Sequence, residues 1–171
     1  MNAWQMSMQY WLVALLMLAA ASDVACRRIP NLFVLIGLLA GLLGQYLLSG
    51  SPAQAIYGAL AGLALFMPFY AMGGMAAGDV KLMAVVGAFL GPLGVAWAAA
   101  LTLIAGSLMG ILILLWRGQL FRFAQRYWAM ASLRAYVPAQ AGDASQLRFP
   151  FALAILLGTV ASLYWLPLRP W

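Results

Sequence analysis

From residue 80 to residue 116 the chain is apolar apart from Lys81. A stretch of that kind can be a surface only where lipid is the solvent. In lipid the backbone must satisfy its own polar groups, which a helix does within itself. Crossing the hydrocarbon takes roughly 20 residues, so this run is too long for one span, and Gly91-Pro92 is the natural place to divide it. The same criterion gives apolar runs at about 4–25, 30–48, 54–72 and 151–168. Ser-Gly-Ser-Pro at 49–52 closes the second run and Gly73-Gly74 the third. Pro30 suits a helix start, since a proline has no N–H to lose there. The expectation is an all-α polytopic membrane protein of about six transmembrane helices, forming a single membrane domain over residues 1–171.

Composition agrees. The 171 residues are 67% hydrophobic and 7% charged, whereas about a quarter of a soluble domain is charged. The net charge of +6 does not point to nucleic acid, because the basic residues sit at the ends of apolar runs. Ser22 closes a segment that looks like a signal-peptide cleavage region, but residues 1–22 contain no Lys or Arg, and Arg27 and Arg28 follow it. A signal peptide carries its positive charge ahead of the apolar core, so a retained first helix with its N-terminus outside is expected. That orientation puts Arg27, Arg28, Lys81, Arg117, Arg122, Arg126, Arg134 and Arg148 in cytoplasmic loops, eight of the nine basic residues. Positive charge collects on that side of a membrane. Arginines alternating with Leu120, Phe121, Phe123, Tyr127 and Trp128 predict an interfacial amphipathic helix near 119–134. Glycines four apart at 37/41, 58/62, 87/91 and 106/110 would let helix backbones approach closely.

The chain has three acids, no Glu and no His. Asp143 lies in a small, polar loop and reads as solvated. Asp23 and Asp79 lie at the ends of spans, and both fall at the cytoplasmic end of the orientation just derived. Ionisable groups at such places are functional-site candidates. Asp79 could serve as a helix cap. Asp23 sits near a helix C-terminus, where the macrodipole disfavours an anion, and an ion pair with Arg27 four residues on is its simplest structural explanation. Asn31 could cap the second helix or hold a catalytic group.

The chemistry follows by elimination. A serine nucleophile needs a base, commonly His, and a zinc protease needs a His-rich helix. A single cysteine, Cys26, offers neither a disulfide nor a Cys-rich metal site. A carboxylate pair remains: one ionised Asp accepts a proton from water, while the other donates to a substrate carbonyl. Like charges a few ångströms apart cannot both ionise cheaply, so the pair carries one proton. No cofactor or metal is expected.

The stretches Asp23-Val-Ala-Cys-Arg-Arg-Ile-Pro-Asn31 and Gly73-Gly-Met-Ala-Ala-Gly-Asp-Val-Lys-Leu82 resemble the two signature segments of the type IV prepilin peptidases, aspartic intramembrane endopeptidases with a Gly-x-Gly-Asp motif. Arg148-Phe-Pro-Phe-Ala152 followed by Gly158 is similar to the family's final-helix segment. The resemblance implies that Asp23 and Asp79 form the catalytic dyad, with Gly78 and Lys81 as supporting motif residues. It implies cleavage of a prepilin or pseudopilin, with a basic leader and an apolar helix, at the cytoplasmic face of a bacterial inner membrane. The first motif glycine is replaced by Ala76. The chain is similar to the compact form associated with tight-adherence (Flp-type) pili and lacks the cysteine-bearing insertion of larger members, so no methyltransferase activity is expected. The alternative is a non-catalytic transporter or pilus-assembly subunit using the two acids as a proton relay.

Overall fold

The computed structural model describes residues 3–118, 125, 128 and 151–165. All of its described elements are α-helices: α1 Ala3–Cys26, α2 Asn31–Ser49, α3 Ala53–Ala71, α4 Ala77–Trp116 and α5 Phe151–Trp165. The first four are long and apolar enough to cross a membrane, and α5 is a shorter apolar helix. The protein is therefore a helical, polytopic membrane protein. Most of the predicted amphipathic helix at 119–134, Asp143 and Arg148 lie outside the described residues; Gln125 and Trp128 are helical.

Where six crossings are expected, the described residues hold four helices long enough to cross and the shorter α5, the fourth and fifth expected spans both falling within α4. A 40-residue helix is about 60 Å long, twice the roughly 30 Å of hydrocarbon. It is broken where the sequence reading divides it. Gly91 has φ 71° and ψ −179°, a backbone state open essentially to glycine alone, and Pro92 follows with no N–H to continue the ladder. Residues 77–90 thus form a short helix of their own, buried almost throughout.

The helix ends follow local chemistry. Gly50 caps α2 in the left-handed conformation, its N–H donating to the Tyr46 carbonyl (2.8 Å). At the end of α3, Gly73 (φ 74°) donates to Tyr70 O and Gly74 donates to Phe69 O. That pair of bonds is a Schellman motif, and it turns the chain directly into the start of α4. The C-terminus of α1 is less usual. Arg27 occupies the left-handed region (φ 52°), costly for a residue with a Cβ. The turn is held by Arg27 N–H to Asp23 O (2.8 Å) and by the Ser22 hydroxyl donating to Arg28 O (3.0 Å).

Contacts divide the chain into two compact units, residues 1–105 with 150–171, and residues 106–149. In the first, the core gathers Leu12, Leu16, Phe66, Leu82, Met83, Val85 and Ile155. Residues 77–90 pack closely on α2 and α3. A Cβ on Gly41 would meet Ala88, one on Gly62 would meet the Met83 carbonyl, and one on Gly58 would meet the backbone of Gly87. Gly158 of α5 presses on the backbone of Thr102 in the same way. Gly110, in the second unit, has open space around it.

Candidate active site

Asp79 lies in the first turn of α4 and is 5% exposed. The expectation of a capping role is met in a specific form: its Oδ2 accepts from the backbone N–H of Ala76 (3.2 Å). A side chain in the first turn that reaches back to the residue before the helix is half of a capping box. The Schellman turn at Gly73-Gly74 and this bond together fix how the chain enters α4.

Asp23 does not pair with Arg27. Its Oδ2 accepts instead from the backbone N–H of Ala152 (3.3 Å), 129 residues away in the first turn of α5. The anion that the C-terminus of its own helix disfavours is thus offset by the positive end of another. Both acids are placed in the same way, each against the N-terminus of a helix.

The two signature segments meet through side chains as well. Lys81 Nζ donates to Asn31 Oδ1 (3.1 Å), joining the end of the first segment to the second. Asn31 therefore does not cap α2, whose N-cap position is Pro30 and carries no side-chain cap bond. Beside this pair, a Cβ on Gly78 would lie 3.3 Å from Cβ of Ile29, so the glycine next to the acid is where the first segment packs close. Ala76, in the place of the other motif glycine, is exposed, and a methyl there is accommodated by solvent-facing space. Arg27, Arg28 and Lys81 are all exposed.

Residues 10–115 match the model of the type IV leader peptidase family. The chain belongs to that family. A type IV leader peptidase is a hydrolase of peptide bonds, and membership implies a prepilin substrate and a membrane setting, with which the apolar helices agree. Neither the comparison with curated proteins nor that with solved structures gives a match. The matched segment of this leader peptidase covers both signature stretches and ends before α5, whose first turn nevertheless holds Asp23.

Sequence reasoning passed over Gln45. It is buried in α2, and its Nε2 donates to the Phe89 carbonyl (2.9 Å) beside the break in α4. The available signal was a lone amide inside an otherwise apolar run. Thr102 and Thr159, both fully buried, went equally unremarked.

Proposed function

We propose that this protein is an aspartic endopeptidase that removes the short basic leader from a type IV, Flp-type prepilin or pilin-like precursor, working at the cytoplasmic face of the inner membrane. The observation that supports the reading is the junction of the two signature segments, where Lys81 bonds Asn31 and Gly78 packs against Ile29, each segment carrying one of the two acids.

Two carboxyl groups brought together at a junction of this kind hold one proton between them at little cost and two charges at a larger one. The ionised member takes a proton from water as the water oxygen attacks the scissile carbonyl carbon. The protonated member gives its proton to the carbonyl oxygen, leaving a neutral tetrahedral diol. Collapse of the diol breaks the C–N bond, with a proton passing to the leaving nitrogen, and the pair again holds one proton. Each step is general acid–base catalysis and needs the acids to hold opposite protonation states.

The remaining parts position the dyad. Gly78 admits Ile29 beside Asp79, and the Lys81–Asn31 bond ties the start of α4 to the start of α2. A precursor whose apolar helix lies among these spans would present its leader junction at the rim where both acids sit.

The test is reconstitution of the purified protein in liposomes with a precursor carrying a short basic leader and an apolar helix. Mass spectrometry is expected to find one cut after the leader, absent with Asp23→Asn and with Asp79→Asn. Cleavage by either variant at the wild-type rate would refute the dyad.

A further inference from the structure

The face that α2 and α3 present to residues 77–90 is built on glycines. Gly37, Gly41, Gly58 and Gly62 all face this segment, and at Gly58 and Gly62 the contacts run from backbone to backbone. Small residues permit close approach in lipid, and apolar contacts tolerate a shift along the helix axis more readily than buried polar ones, which a shift would strand. Slippage by one turn would move Asp79 by about 5.4 Å and carry it away from Asp23.

Two polar contacts do select a position: the exposed Lys81–Asn31 bond at one end of the segment and, at its buried end, a bond from Gln45. A helix interrupted at Gly91 leaves its last carbonyls without donors from the same helix, and Pro92 cannot supply one. The Gln45 amide, 5% exposed, donates to one of them, Phe89 O, at 2.9 Å. In any other register both the amide and the carbonyl would be stranded in an apolar interior, which is costly. A single buried amide fixing the register of helices that otherwise pack by apolar contact is an established device in coiled coils.

We propose that Gln45 is a positioning residue: its bond to Phe89 O sets the axial register of residues 77–90 and thereby the depth of Asp79 relative to Asp23. The inference rests on the dyad proposed above, and it deepens that reading by naming what aligns the dyad. Gln45 touches neither acid and acts through the helix.

The test separates register from packing and from catalysis. Gln45→Met keeps nearly the volume but has no donor, whereas Gln45→Ala loses both. Register is read by disulfide formation between cysteines introduced as Ile29→Cys and Gly78→Cys in a Cys26→Ser background. A Cβ at Gly78 lies 3.3 Å from that of Ile29, close to the separation of about 3.5–4.5 Å that a disulfide requires. In full-length protein in liposomes, Gln45→Met is expected to slow cross-linking about tenfold, and to lower kcat on the precursor by a similar factor with KM unchanged, the size of one interhelical hydrogen bond in lipid. Unaltered cross-linking and kcat in Gln45→Met would overturn the proposal, and so would loss confined to Gln45→Ala, which would mark a packing role. If the wild type cleaves nothing, the dyad fails, but the cross-linking rate still decides the register. Should Gln45→Met not accumulate, hydrogen exchange of the Gln45 side-chain amide in the wild type decides instead: slow exchange is expected, and exchange at the rate of an exposed amide would overturn the register bond.

Discussion

A carboxylate in a largely apolar protein needs partners, and here each acid accepts a backbone N–H from the start of a helix: Asp79 from Ala76 and Asp23 from Ala152. This arrangement makes asparagine the informative substitution. An asparagine at either position keeps an oxygen to accept the same bond, so the start of α4 and the docking of α5 survive while proton transfer is lost. Asp79→Asn is expected to insert and melt like the wild type in detergent and to lose measurable processing. The two motif positions before it behave differently from each other. Gly78→Val would drive a side chain into Ile29 and is expected to lower the processing rate by about tenfold or more, from an overpacking cost of about 1–3 kcal/mol. Ala76→Gly, at an exposed position, is expected to change the rate by no more than about twofold, since substitutions away from packed features rarely exceed about 0.5 kcal/mol. Rates on one precursor check both. The two acids stood out in the sequence as candidates, because a chain without His or Glu offers few other groups for hydrolysis. Their partners were not. The local expectation for Asp23 was Arg27, and only the folded chain brings Ala152 to it.

Among the helices, spans and breaks were legible because their chemistry is local. Gly73-Gly74 ends α3 through a Schellman motif, and Gly91-Pro92 interrupts α4 with a backbone state reserved for glycine. The glycine pairs were legible only as spacing. Gly58 and Gly62 lie against the backbone of residues 77–90, whereas Gly110 has nothing within 4 Å, and no feature of the sequence separates the two cases. Gly58→Leu is accordingly expected to destabilise the protein by about 1–3 kcal/mol or more and Gly110→Leu by less than about 0.5 kcal/mol. Thermal unfolding in detergent of the two variants side by side checks the contrast. Gln45 was not legible because an amide in an apolar run reads the same whether it meets lipid headgroups or a broken helix.

For the molecule as a whole, hydrolysis by the pair requires that segments far apart in sequence reach one rim of the membrane. The distribution of basic residues predicts an orientation with the N-terminus outside and residues 73–81 in the cytoplasm. Cysteines placed at residue 2 and at residue 74, in a Cys26→Ser background, are expected to label with a membrane-impermeant reagent from opposite sides of the inner membrane. Labelling of both from the same side would contradict this orientation. The central claim is that Asp23 and Asp79 act as one unit sharing one proton, and a double-substitution cycle on kcat/KM tests it most directly. Groups that work jointly lose nearly everything when either is removed. Asp23→Asn, Asp79→Asn and the double variant are expected to be equally slow; two partial losses that multiply in the double variant would contradict a shared proton.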